Sequence, residues 1–107
     1  MFTRIVEMTA RPGKAMDLAL ALNNNVLPTL RKQSGFIDEI VMDSNADPEI
    51  LLEISLWESK TDADRYAHTE FTHVIDGLTD LIHAMPQVRT FNVKQSTIHR
   101  ISADKAA

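Results

Sequence analysis

The chain is predicted to fold as one α+β domain, a ferredoxin-like βαββαβ unit with a four-stranded antiparallel sheet. Three observations carry the prediction. Four short runs are rich in strand-forming residues, and two longer segments between them repeat apolar residues at helical spacing. A Ser-Asn-Ala-Asp-Pro stretch joins the second and third runs as a hairpin-type loop. At 107 residues and 12.0 kDa, a second domain would leave each half too small for a core. With 44% apolar and 24% charged residues, the composition is that of an ordinary globular domain.

Taken in order, Phe2 to Met8 is the first strand, and Pro12-Gly13 supplies turn chemistry after it. From Lys14 to about Lys32 a helix fits, with Ala15, Leu18, Ala19, Leu22, Val26 and Thr29 on one stripe. Met16, Leu20 and Leu27 form a second stripe, which predicts burial on two sides. Pro28 removes one internal hydrogen bond and should bend this helix, and Ser34-Gly35 stops it. Phe36 to Asp43 and Ile50 to Trp57 are the second and third strands. Ser59-Lys60-Thr61-Asp62 can cap a second helix running to about Ala84, with a core stripe of Ala63, Ala67, Phe71, Val74, Leu78, Leu81 and Met85. Gly77 is a weak point inside it and Pro86 ends it. Val88 to Gln95 is the fourth strand, so the domain is expected over residues 1–95, with 96–107 a polar tail or arm.

Both helices of such a unit lie on one face of the sheet, which leaves the other bare. On the third strand Ile50, Leu52, Ile54 and Leu56 share one face, while Leu51, Glu53, Ser55 and Trp57 share the other. The Leu51–Trp57 face is expected to be the bare one, too apolar for water and covered by pairing of two sheets across a twofold axis. A homodimer is the predicted partner.

The absence of cysteine removes disulfides, thiolate nucleophiles, iron–sulfur clusters and cysteine-ligated zinc together. A net charge of −4 and the sparse Lys94, His99, Arg100 and Lys105 of the tail argue against nucleic-acid binding. No apolar run approaches the ~20 residues that span a bilayer. The N-terminal residues lack the regions of a secretory signal, and a cytoplasmic protein is expected.

Arg4-Ile5-Val6-Glu7-Met8, Arg11-Pro12-Gly13-Lys14, Gly35-Phe36, Leu56-Trp57-Glu58-Ser59-Lys60 and Val88-Arg89-Thr90-Phe91 occur in an order and spacing that resembles the antibiotic-biosynthesis-monooxygenase family. The resemblance covers residues 2 to 95, and Trp57 with Glu58-Ser59-Lys60 is its most specific piece. It implies a dimeric α+β barrel, formed when two ferredoxin-like sheets pack face to face, with a small pocket between sheet and helices in each subunit. Members include cofactor-free oxygenases of electron-rich phenols, quinol monooxygenases, haem-degrading oxygenases and proteins with no assigned activity. The haem-degrading branch carries an asparagine on its first strand, then a tryptophan and a histidine on its second helix. Those positions here hold Val6, Tyr66 and Asp76, so axial haem ligation loses its basis. Other members place two histidines along that helix, where this chain has Tyr66 and Phe71, with His68 and His73 in a different register.

The expectation from these residues is a cofactor-independent monooxygenase acting on a small aromatic phenol, quinol or anthrone-like substrate. Deprotonation would yield an electron-rich anion able to reduce dioxygen, and the protein would supply a base, orientation and a dry pocket. Tyr66, His68 and His73 are the candidate acid–base residues, with Asp76 placed to orient His73. Arg4, Val6, Trp57 and Phe71 are the candidate substrate contacts, and no metal or cofactor is expected. Trp57 fits a structural anchor better than a stacking platform, and His83 and His99 read as surface residues. Glu7, Glu39 and Glu53 are candidates for a catalytic cluster, though pairing with Arg4, Arg89 or a partner chain fits them better. Two alternatives remain: a dimeric small-molecule-binding or stress-associated protein without turnover, and a proton-transfer enzyme acting on a small carbonyl metabolite.

Overall fold

The computed structural model describes residues 1–99. Strands β1 (Phe2–Thr9), β2 (Phe36–Asp43), β3 (Ile50–Trp57) and β4 (Gln87–Asn92) form one sheet in the order β2-β3-β1-β4. Every neighbouring pair is antiparallel. Helices α1 (Ala15–Ala21) and α2 (Leu27–Arg31) lie between β1 and β2, and α3 (Lys60–Thr69) and α4 (Phe71–Asp76) between β3 and β4. This is the predicted ferredoxin-like arrangement, with β3 inserted between β1 and β2. The fourth strand ends at Asn92, earlier than its sequence suggests. Most of the expected 96–107 tail lies outside the described residues.

The segment between β1 and β2 is helical throughout, and its departure from ideality sits just before Pro28. Leu22–Val26 forms a π-helical turn joining α1 to α2. In a regular α-helix the Pro28 ring would press on the carbonyl of Asn24 and leave it without a donor; one widened turn relieves both problems. Leu18, Leu22, Val26 and Leu30 stay buried against the sheet, each removal from water being worth about 1.5–3 kcal/mol. The second stripe is not buried: Met16 is 77% and Leu20 53% exposed. The sheet lies on one side of this helix only.

The second helical segment is shorter than its periodicity implies. Ser59 caps it as expected, its Oγ accepting from the Asp62 amide at 3.2 Å. The helix then breaks at Glu70 and stops at Asp76. Beyond Gly77 the chain turns back to the sheet, where Ala10 bridges Ile82 and the His83 amide donates to the Thr9 carbonyl at 2.7 Å. Arg11 secures this return by donating from Nε to the Ile82 carbonyl at 3.1 Å and from Nη2 to that of Thr79 at 3.1 Å. These carbonyls would otherwise lack partners at the helix end. Met85, expected in the core stripe, is exposed, and Tyr66, Ile75 and Ile82 are core residues instead.

The two faces of the sheet are the reverse of the sequence expectation. Leu51, Glu53, Ser55 and Trp57 lie under the helices and are buried. They are paired in register with Met8, Val6, Arg4 and Phe2, whose side chains share that face. The open face carries Ile50, Leu52, Ile54 and Leu56 of β3 beside Ile5, with Ile40, Met42 and Phe91 on the flanking strands. The hydropathy pattern misleads because the face with two polar residues is the interior one.

Candidate active site

Strand register brings the site together from residues distant in sequence. Arg4 pairs with Ser55 and Val6 with Glu53, so Arg4 and Glu53 are diagonal neighbours on the helix-facing side. Glu39 is opposite Ser55 on the other flank, which sets it diagonally from Glu53 as well. From above, α3 contributes Tyr66 and α4 contributes Phe71. The Arg4 guanidinium carbon lies 4.7 Å from the Phe71 ring centroid and 5.7 Å from that of Tyr66. A planar cation so placed is held by the ring faces without a direct counter-ion.

Trp57 is the platform beneath. Its ring stacks on Tyr66 with centroids 5.2 Å apart and planes at 27°, and Phe36 meets it edge-on at 5.7 Å. The indole Nε1 donates to Ser55 Oγ at 2.9 Å, which satisfies the one polar atom of a fully buried side chain. Trp57 therefore holds the site from below.

The polar groups of the site are enclosed and incompletely partnered. Arg4 and Glu53 are 6% and 2% exposed, and Tyr66 is 2% exposed. Arg4 Nε, Tyr66 Oη and Glu39 Oε2 are buried with no hydrogen-bond partner. Each such orphan costs about 1–3 kcal/mol, and buried polar atoms are normally partnered, so these three are candidates for completion by a ligand or ordered water. Burial, then the neighbouring Glu39 carboxyl, push Glu53 up to about 8, against the opposing pull of Arg4. Burial likewise raises Glu39 to about 7, partly offset by Arg31. The Tyr66 phenol is held above its ordinary value by burial and the charge of Glu53, so near neutral pH it is a hydrogen-bond donor. Burial draws the Arg4 guanidinium down, yet guanidinium keeps its proton at any physiological pH.

Phe71 also borders a cavity of about 360 Å³ walled by Ile75, Ile82, Thr79 and Met85, with Arg11 and Asp76 at its margin. That volume suits a small ring system. Phe71 thus touches both the cavity and the Arg4–Tyr66 group, while neither Arg4 nor Tyr66 lines the cavity itself.

Of the residues singled out in the sequence, Arg4, Tyr66 and Phe71 come together in direct ring and cation contact, and Val6 stands beside Arg4 and Glu53 on the same face. The two histidines lie elsewhere. His68 is exposed, with Nδ1 2.8 Å from the Asp64 carbonyl. A carbonyl only accepts, so Nδ1 carries the proton. His73 is exposed and borders a separate groove with Asn25, Thr29 and Glu70. Glu7 and Arg89 project from the open face, so neither neutralises Glu53 or Glu39. The available signal for those two was a carboxylate inside an apolar strand, which hydropathy alone cannot assign to a face.

A ferredoxin-like sheet with a buried, partly unsatisfied polar site beneath its helices defines the class of this protein. Residues 1–77 match the family described as antibiotic biosynthesis monooxygenase, and the chain belongs to it. No curated protein matches the chain. Among solved structures it is similar to a variant of SnoaB, a cofactor-independent oxygenase from Streptomyces nogalater, with 14% identity, TM-score 0.75, and coverage of 90% of this chain and 95% of that one. A putative antibiotic biosynthesis monooxygenase from Deinococcus radiodurans is 17% identical, with TM-score 0.72 and coverage of 90% and 95%. A conserved protein from Methanosarcina mazei Go1 is 20% identical, with TM-score 0.69 and coverage of 85% and 91%. At these identities the likeness shows the shared fold.

Proposed function

We propose that the protein is a cofactor-independent monooxygenase of a small hydroxylated aromatic compound, a phenol, quinol or anthrone. The observation that carries this reading is the two buried, unpartnered donors Arg4 Nε and Tyr66 Oη, on residues that touch Phe71, which also lines an apolar cavity that neither of them borders. In this reading a hydroxylated ring bound in the cavity displaces Phe71, and its phenolic oxygen then accepts from the two donors. Positive charge and a neutral hydroxyl stabilise the phenolate form over the phenol. The ring then supplies the electrons: a phenol with a free para C–H plus dioxygen gives a quinone plus water, with one oxygen atom entering the carbon. Family membership and the fold shared with a cofactor-independent oxygenase support the reading.

The reading includes a homodimer. Ile40, Met42 and Phe91 on the open sheet face are 47%, 43% and 48% exposed, an apolar patch that a second sheet would cover.

Oxygen uptake by chelator-treated protein with hydroquinones, naphthols and anthrones, against heat-denatured protein as the autoxidation blank, tests the function. Saturable uptake above the blank is the expected result. If none of these compounds produces it while naphthol still quenches Trp57 fluorescence, a binding protein without turnover is the better reading.

A further inference from the structure

We propose that Glu53 and Glu39 form a proton-sharing carboxyl pair that moves protons to and from the hydroxylated ligand held by Arg4 and Tyr66. The proposal rests on the ligand site described above and adds the acid–base group which that reading leaves open. Its basis is geometric. The two carboxylates stand on adjacent strands, two residues apart in register and so diagonal to each other, on the helix-facing side of the sheet. Glu53 is 2% exposed, and Glu39 Oε2 is buried without a partner. Among the described residues, no salt bridge reaches either one. Independently of the carboxylates, Tyr66 Oη and Arg4 Nε are buried and unpartnered, on the same side of the sheet.

The charged and titratable surroundings are few. Glu53 is faced by Arg4 from β1, Glu39 from β2 and Tyr66 from α3. Glu39 is faced by Arg31 from α2 and by Glu53. Asp64 acts on Arg4, and Glu70 on Tyr66. Carboxyls at diagonal positions, one buried and the other half-buried, oppose each other's ionisation. They therefore titrate in steps, and one proton stays with the pair between the first step and the second. Their elevated values, about 8 and about 7, agree with that. With one proton between them and Arg4 charged, the cluster is near neutral, which makes it tolerable in a core.

A pair holding one proton is a base and an acid at once. The ionised carboxylate takes the phenolic proton. The electron-rich ring carbon bonds to dioxygen, which is thereby reduced to a peroxide anion, and the pair protonates it. Loss of the C–H proton to the pair then drives O–O cleavage to the carbonyl and hydroxide. Hydroxide takes the last proton as water, and the pair is left with the single proton it began with.

The test has two arms on the full chain. The first needs no ligand: carboxyl NMR of protein labelled with carbon-13 glutamate, titrated from about pH 4 to pH 10. Two coupled carboxyls with midpoints well above the other glutamates are expected, and Glu39→Gln should lower the Glu53 midpoint by removing its repelling neighbour. Ordinary midpoints near ~4.3 for both, or a Glu53 midpoint that Glu39→Gln leaves unmoved, would overturn the pair. The second arm is oxygen uptake with 1,8-dihydroxyanthrone. Glu53→Gln should lower kcat about 100-fold with KM within about twofold, and flatten the pH profile. Wild-type kcat and pH profile in that variant would overturn the proposal. Coupled high midpoints without uptake by the wild type would support the pair and defeat the oxygenase reading.

Discussion

Glu53 is where chemistry and stability conflict most directly. A carboxyl that is 2% exposed folds more readily with its proton than without it. In the unfolded chain it ionises near ~4.3, whereas in the fold it keeps its proton up to about 8. Between those values the folded state binds more protons, so stability is greatest below the lower one and falls as pH rises toward the upper. Tm should therefore decline from about pH 5 to about pH 8, and Glu53→Gln, with no proton to lose, should flatten the slope. A wild-type Tm that rises over that range would contradict a buried neutral carboxyl. Gly35 gives a second residue-level prediction. Its φ is +82°, and an added Cβ would strike the Asp62 side chain, which is held by Ser59 and Arg65. Gly35→Ala should cost about 1–3 kcal/mol in urea unfolding. Tyr66 and Phe71 stand out in the sequence because they fall where the resembling family carries its second-helix residues, and Arg4 because it belongs to the first-strand motif. The sequence favours His68 and His73 as bases because an imidazole titrates near neutrality and because projection of one continuous helix puts each at an edge of the apolar stripe. That projection does not register the break at Glu70, and both side chains are exposed.

At the scale of elements, local signals placed the helices well and their interruptions poorly. The cap at Ser59 was legible since it is a contact between near neighbours, and it should matter: Ser59→Ala loses the acceptor for the Asp62 amide and should cost about 1 kcal/mol, read as a lower urea midpoint with unchanged slope. Pro28 announced a disturbance, and its form, a π-turn over Leu22–Val26, follows from the need to keep Leu18, Leu22, Val26 and Leu30 on the sheet. The stop after Asp76 falls at Gly77, which the sequence marks only as a weak point inside a longer helix. It is imposed by contacts of high sequence separation, Ala10 with Ile82 and Arg11 with the Thr79 and Ile82 carbonyls. Apolar periodicity runs on through Leu78 and Leu81 as though the helix continued.

For the whole molecule, the order of strands was legible from the alternation of strand and helix signals, while the choice of faces was not. A strand with apolar residues on both faces can be laid down either way, and here the side that carries Glu53 and Ser55 lies inward. The consequence falls on the open face, where Ile54 sits centrally between Ile5 and Ile40. Sedimentation equilibrium should give twice the 12.0 kDa of the chain, and Ile54→Lys should give the single-chain mass with the fold intact by circular dichroism. A wild-type monomer would contradict the pairing of sheets. The claim on which everything else depends is that the Arg4–Tyr66 enclosure drives oxygen chemistry on a bound hydroxylated ring. Oxygen uptake with 1,8-dihydroxyanthrone by wild type, Arg4→Met and Tyr66→Phe tests it directly. Saturable uptake by the wild type that falls at least about tenfold in each variant is predicted; uptake equal in all three proteins, or no greater than that of heat-denatured protein, would contradict it.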